Sequence, residues 1–137
     1  MRFFSKFPLL HPEKDDKGRR IYVLDGPLVY RDTGRGLTVY VQDGFKTDLA
    51  SVPRILTPLF PRDGDWLAAA VVHDWLYEFG RKMPGFDGTR EDADLIFLQA
   101  MEASGVGWRR HVIHRAVRVG GGAYWYGRRE RDAMRDG

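Results

Sequence analysis

A histidine and an aspartate stand side by side at positions 73 and 74, inside the otherwise apolar segment VVHDWLYEFG. An imidazole can accept a proton from water near neutral pH, and a carboxylate can orient that imidazole or bind a metal ion. A buried carboxylate is costly unless it is paired, hydrogen-bonded or bound to a metal. His73 and Asp74 are therefore candidate reactive groups, and Asp74 needs a partner.

The helical repeat places further polar side chains near His73. Tyr77 lies one turn after His73 on the same face of a predicted helix. Asp94 lies at the edge of the apolar stripe of the next predicted helix, and antiparallel packing would bring its carboxylate to the ring of His73. Such a carboxylate would fix the tautomer of His73 and raise its basicity, as a general base requires. In the alternative interpretation, Asp94 pairs with an arginine such as Arg90, one turn before it, and His73 is a hydrogen-bonded core residue.

The segment GFKTDLASVPR adds polar groups that follow a predicted strand. Thr47, Asp48 and Ser51 are further site candidates, and Asp48 and Ser51 can each bond nearby backbone amides in a turn. A Ser51–His73–Asp94 nucleophilic triad is another alternative. Ser51, however, lacks the strand–turn–helix context of a nucleophile elbow, which favours a turn-forming role.

The first half of the chain has the pattern of β-strands. Short apolar runs at Ile21–Leu24 and Leu28–Tyr30 flank an Asp-Gly-Pro turn signal, and residues 37–41 alternate apolar and polar side chains. These runs predict a small antiparallel sheet. Three prolines within residues 43–65 predict irregular structure there, with at most one helical turn around Ile55–Leu59.

The second half has the 3.6-residue apolar repeat of helices. One helix is predicted from a cap at Asp63 or Asp65 to Phe79, a second over residues 89–104 and a third over Trp108–Val119. The aromatic segment AYWYGRRERD that follows is expected to be either a docked segment or a short helix.

These elements predict an α+β fold, in which a small N-terminal antiparallel sheet packs on a C-terminal bundle of about three helices. We expect a single domain over residues 1–137. Within it, residues 1–62 are expected to be β-rich, residues 63–126 helical and residues 127–137 a basic C-terminal tail.

The composition narrows the class of protein. The 137 residues are 43% hydrophobic and 30% charged, which is ordinary for a soluble globular protein. The absence of cysteine excludes a disulfide framework and a thiolate metal site. No apolar run approaches the roughly 20 residues of a membrane helix. Lys6 and Pro8 interrupt the apolar N-terminus, so we expect no signal peptide.

Positive charge concentrates in the C-terminal third. From Trp108 to Gly137, eight arginines oppose three acidic residues, a net charge of +5 in a chain whose total is +3. This imbalance predicts contact with an anionic partner, such as nucleic acid, an anionic lipid surface or an acidic protein, unless it is a solvated face.

The pattern HDWLY followed by DLIF resembles the helix pair of secreted phospholipase A2 enzymes, above all their bacterial branch, which carries H-D-x-x-Y on one helix and D-x-x-F on the next. The resemblance implies that His73 is the general base that activates water and that Asp74 binds a calcium ion that polarises the ester carbonyl. It also implies that Asp94 orients His73 and that Tyr77 hydrogen-bonds to Asp94.

This resemblance covers about residues 72–101, and the chain departs from the enzymes outside it. It has neither their cysteines nor a glycine-rich calcium loop before the first helix. Calcium takes about six to eight oxygen ligands, so Asp74 alone is not a site. Asp48 is the candidate second ligand.

GFKTDLASVPR and HDWLY together resemble a domain of unknown function in small proteins encoded by tailed bacteriophages and prophages. Their recurrent pattern is G-F-x-T-D-x-A-S-x-P, then H-D-x-x-Y, then a helix similar to A-D-x-x-F. The resemblance spans about residues 37–101. It implies a phage virion or the cytoplasm of a bacterial host as the setting and leaves the activity open.

Two functions fit these observations. The first is a phospholipase A2-like, metal-assisted hydrolase of a lipid or another cell-envelope substrate. The alternative is a non-catalytic tail or assembly protein of the virion, in which the HD…D cluster is a structural polar network. Its partners would be other phage structural proteins. The two differ in whether the groups around His73 line an open pocket or are sealed from solvent.

Overall fold

The computed structural model describes residues 1–6, 8–48, 58 and 66–136. In these residues six strands precede four helices, which confirms the predicted α+β class. The strands are β1 (Arg2–Phe4), β2 (Leu9–Lys14), β3 (Arg20–Asp25), β4 (Leu28–Asp32), β5 (Leu37–Val41) and β6 (Lys46–Thr47). The helices are α1 (Trp66–Phe79), α2 (Arg90–Ala103), α3 (Arg109–Gly120) and α4 (Gly122–Asp136).

The described strands form two three-stranded antiparallel sheets, where the sequence predicted one. Their orders are β1-β4-β5 and β2-β3-β6, so the chain changes sheet between β3 and β4. Gly26 lies at this change with a φ of 121°, and its amide donates a hydrogen bond to Asp43 Oδ1 at 2.9 Å. The apolar pattern locates strands but does not specify their partners, which is why the split was not predicted.

The predicted alternation along β5 is confirmed. Leu37, Val39 and Val41 are buried, whereas Tyr40 is 56% exposed. The buried face belongs to a hydrophobic core that also contains Leu28 and side chains of all four helices. Sheet β1-β4-β5 contacts the helices through β1 against α2 and β5 against α1. This sheet is therefore the support for the helix pair that carries the candidate site.

Helix α2 begins as its sequence predicts. The Thr89 side chain caps the helix by accepting a hydrogen bond from the Asp92 amide at 3.1 Å. Helices α1 and α2 pack against each other with Tyr77 beside Arg90 and His73 beside Asp94. This is the antiparallel arrangement that the short connection between them predicts.

Residues 127–137 were predicted as a basic tail, but residues up to Asp136 belong to α4, a fourth helix in the described part of the chain. Trp125 is 5% exposed and packs edge-on against Tyr77 with ring centroids 5.1 Å apart. Arg129 donates to the carbonyls of Tyr77 and Glu78 at 2.8 and 3.0 Å. These contacts dock α4 on the C-terminal end of α1, where a cation also complements the helix dipole.

Gly80 makes that docking possible. It follows α1 with a φ of 50°, and a Cβ built on it would lie 1.2 Å from Arg129 Nη1. A side chain there would displace the guanidinium from the end of α1.

Among the described helices, none is long and apolar enough to cross a membrane.

Candidate functional site

The site is built first on one face of α1. His73 and Tyr77 are a turn apart, their ring centroids are 4.4 Å apart, and both side chains are 0% exposed. Phe97 of α2 stacks on His73 with a centroid distance of 4.4 Å and an interplanar angle of 23°. The imidazole is therefore held between aromatic rings of two helices, which fixes its plane.

Asp94 of α2 completes the cluster. Its Oδ1 lies 2.7 Å from His73 Nε2 and accepts a hydrogen bond from the Tyr77 hydroxyl at 2.6 Å. Its Oδ2 accepts a hydrogen bond from Arg118 Nη1 of α3, also at 2.7 Å. Asp94 is 0% exposed. The structure thus brings together His73, Tyr77 and Asp94, the three predicted catalytic residues, and adds an arginine.

Asp94 pairs with arginine, as in the alternative interpretation, but Arg90 is the more distant of its two arginine partners. Its Nε is 4.0 Å from Asp94 Oδ2, at the limit of an ion pair, and donates to the Tyr77 hydroxyl at 3.3 Å. Its Nη2 donates to the carbonyls of Val117 and Arg118. Arg90 therefore ties α2 to the end of α3, while the close ion pair of Asp94 is with Arg118.

The sequence pattern did not indicate that Arg118 belongs to this cluster. It lies 24 positions after Asp94, on a helix whose packing against α2 no local pattern specifies. Its signal is weak, because it is one of many arginines in a basic segment. Gly121 indicates the position of α3 more clearly than Arg118 does. A Cβ built on Gly121 would lie 2.9 Å from the Tyr77 hydroxyl, so the GGG run lets the junction of α3 and α4 approach the cluster.

The electrostatics of the cluster follow from burial. Desolvation lowers the pKa of His73 below its ordinary value; the hydrogen bond that His73 donates to Asp94 opposes this effect, and the charge of Arg90 adds to it. Burial alone raises the pKa of Asp94, but its hydrogen bonds with His73, Tyr77 and Arg118 outweigh it and leave that pKa below its ordinary value. At neutral pH the cluster therefore contains an ionised Asp94 and a neutral His73.

These protonation states fix the tautomer of the imidazole. An ionised carboxylate can only accept hydrogen bonds, so the proton of neutral His73 resides on Nε2, facing Asp94. Nδ1 is then an acceptor. This is the tautomer that a general base would need, but it is equally the tautomer that a buried structural histidine adopts beside a carboxylate.

A second group of polar side chains is centred on Asp74, the residue after His73. Asp74 is 2% exposed and accepts a hydrogen bond from the Thr47 hydroxyl through Oδ2. It lines a cleft of ≈180 Å³ together with Thr47 and the exposed Asp48. The other described lining residues are Asp15, Arg19, Ile21, Lys46 and Tyr124. Neither His73 nor Asp94 is among them, so the predicted metal ligands and the predicted catalytic residues occupy separate places.

The described residues of the cleft do not match the needs of the predicted calcium ion. The cleft offers the carboxylates of Asp15, Asp48 and Asp74, but Arg19 and Lys46 line it too. Within the described ranges, no group of three acidic, histidine or cysteine side chains could hold a metal ion. Because calcium takes about six to eight oxygens, these side chains do not fit the ion. Ser51 lies outside the described residues.

The fold and this cluster define an α+β protein whose α1, α2 and α3 meet at a buried His–Tyr–Asp–Arg network. A family model described as "Protein of unknown function (DUF1353)" matches residues 22–117, more than half of the chain, and the chain belongs to that family. No curated protein and no solved structure matches the chain. The match includes His73, Tyr77 and Asp94 and ends one residue before Arg118.

The first prediction concerns the charge of Asp94. In Asp94→Asn the shape is kept but Arg118 and Arg90 lose their buried counter-charge, so we expect the free energy of unfolding to fall by about 3–5 kcal/mol. Urea denaturation measures the loss. The control is Glu91→Gln, since Glu91 is 66% exposed and binds the same Arg118 at 3.2 Å. Similar losses in the two variants would contradict a buried role for Asp94.

The second prediction concerns pH. The pKa of His73 is lowered by burial from 6.5, so between 6.5 and the folded-state pKa the unfolded chain binds more protons. The stability contributed by neutral His73 is therefore complete above about pH 6.5 and is lost as the pH falls below it, by at most about 1.4 kcal/mol per pH unit. Urea denaturation of wild type and His73→Gln across this range isolates the effect. The difference between them should narrow as the pH falls, and a constant or widening difference would refute a neutral His73.

Proposed function

We propose that this protein works by binding rather than by catalysis, and that its polar cluster fixes the packing of α1, α2 and α3. The observation that carries the proposal is burial: His73, Tyr77 and Asp94 are each 0% exposed. A general base must reach the proton that it abstracts, directly or through one water molecule. A sealed imidazole does not meet that requirement.

The surroundings of His73 also disfavour base catalysis. A general base becomes cationic during the reaction, and here the imidazolium would form in a buried cluster that already contains Arg118 and Arg90 near the same carboxylate. The negative charge of Asp94 is already balanced by that of Arg118, so Asp94 would stabilise a second cation only weakly. In a low-dielectric interior such like-charge contacts are expensive. The same arrangement suits a network that specifies helix packing.

The biological setting that we propose is a tailed phage or prophage, with other phage structural proteins as partners. Its support is the pair of motifs GFKTDLASVPR and HDWLY, both of which fall within the matched residues 22–117. A role in the virion or in its assembly in the host cytoplasm fits a protein whose His73, Tyr77 and Asp94 are buried. Genes for tail or head proteins beside this one would support it.

A second candidate function is a phospholipase A2-like hydrolase of lipid or another envelope substrate. It is favoured by one specific observation: His73 and Tyr77 meet the same oxygen of Asp94 at 2.7 and 2.6 Å, as in an oriented general base. Asp74, the next residue, lines a cleft. Calcium is not part of this candidate, because the described lining of that cleft does not fit the ion.

The third prediction separates the two functions. Purified wild type, His73→Gln and His11→Gln are incubated with phospholipid vesicles and with peptidoglycan, each with calcium and with a chelator. His11 is the matched control, because its side chain is 43% exposed and lies in β2, outside the cluster. We expect no turnover above background in any sample, since the imidazole of His73 is sealed. Turnover that is lost in His73→Gln and kept in His11→Gln would establish the hydrolase instead.

A further inference from the structure

The outward face of α3 exposes apolar side chains in register. Trp108, Val112 and Val119 are 67%, 41% and 85% exposed. At about 100° per residue, positions 108, 112, 115 and 119 fall within roughly 60° of one another on a helix. The exposed Arg115 therefore lies in the same stripe. Trp108 precedes the helix with helical dihedral angles, so it continues this face.

The same face is positively charged. Within α3, the sequence RRHVIHRAVRVG contains four arginines and neither aspartate nor glutamate. Arg109 and Arg115 are exposed, and the Arg109 guanidinium lies 5.6 Å from the centre of the Trp108 ring. Arg118, by contrast, is turned toward Asp94 and Glu91. Apolar side chains and the exposed Arg115 thus share one stripe, and the exposed Arg109 lies at its edge, about 60° from Val112 around the helix.

The opposite face of α3 holds this stripe rigidly. Ile113 and Val117 are both 0% exposed in the core, and Arg118 and Arg90 tie the end of the helix to α2. The outward side chains are therefore presented on a fixed helix. Their exposure is not explained by packing within the described chain.

We propose that this face docks on an anionic lipid surface. Trp108, Val112 and Val119 would enter the headgroup region, where indole rings and aliphatic side chains are favoured beside cationic ones. Arg109 and Arg115 would contact lipid phosphates. This inference rests on the binding role proposed above and names the partner of one surface.

The composition of the stripe favours lipid over a second copy of the chain and over nucleic acid. A second copy docking face to face would bring Arg109 and Arg115 against their own counterparts, and like charges oppose such contact. Nucleic acid would satisfy the arginines through its phosphates. It would leave Val112 and Val119 without apolar contact, whereas a lipid surface satisfies both kinds of side chain.

The fourth prediction tests the face directly. Wild-type protein is co-sedimented with vesicles of equimolar phosphatidylcholine and phosphatidylglycerol, and with vesicles of phosphatidylcholine alone. We expect binding to the anionic vesicles and little to the neutral ones. Removing both charges in Arg109→Gln/Arg115→Gln should weaken binding by roughly fivefold for each arginine. Trp108→Ser should also weaken it, and because Trp108 is 67% exposed the change leaves the core intact.

Matched controls come from the exposed face of the sheet. Tyr40→Ser removes a 56% exposed aromatic side chain, and Arg31→Gln removes an exposed charge. Both should bind as wild type does. The proposal is overturned if wild type ignores anionic vesicles, if it binds both vesicle types alike, or if the controls weaken binding as much as the α3 variants. It is also overturned if duplex DNA, measured by anisotropy, binds tighter than the vesicles with the same dependence on Arg109 and Arg115.

Failure here is distinguishable from failure of the proposed function. The variants used in the vesicle experiment change outward side chains of α3 and leave His73 and Asp94 unchanged. If the protein did not bind anionic vesicles, the hydrolysis result with His73→Gln would be unchanged. If turnover depended on His73, the sedimentation result would be unchanged.

Discussion

A carboxylate without exposed surface lies where three helices meet, and its charge has to be matched there. Asp94 of α2 is met by His73 and Tyr77 from α1 and by Arg118 from α3. A buried ion is tolerated only when its hydrogen bonds are complete, so the three helices can take only relative positions that keep these partners in reach. Apolar packing alone would permit sliding of one helix along another, whereas this network does not.

The same completeness limits what the cluster can do chemically. A histidine oriented by a carboxylate has the geometry of a general base, but here the pair is sealed and its negative charge is already matched by an arginine. Residue types and spacing are therefore consistent with both catalysis and packing, and access to solvent separates them. Helix α3 has two roles in this account, because Arg118 supports the interior while Trp108 and Arg115 face outward.

Much of this arrangement could be predicted from the sequence, because it depends on local repeats. The spacing of His73 and Tyr77 predicts one face, and a short connection predicts the antiparallel helix that brings Asp94 to them. The contact of Arg118 could not be predicted, because it depends on how α3 rotates against α2. The split into two sheets was missed because strand pairing depends on distant residues. A short helix was one of two expectations for AYWYGRRERD, but its extension to Asp136 was not predicted, because Arg129 is held by the end of α1.

The protonation of His73 is the most direct test of the account. Nitrogen-15 NMR of uniformly labelled protein reports the tautomer and charge of each imidazole, and His73→Gln assigns the signal. The account predicts a neutral ring with its proton on Nε2 and no titration near pH 6.5, since burial lowers this pKa. A His73 signal that titrates near pH 6.5, with a ring proton that exchanges rapidly with water, would contradict it by showing an imidazole open to solvent.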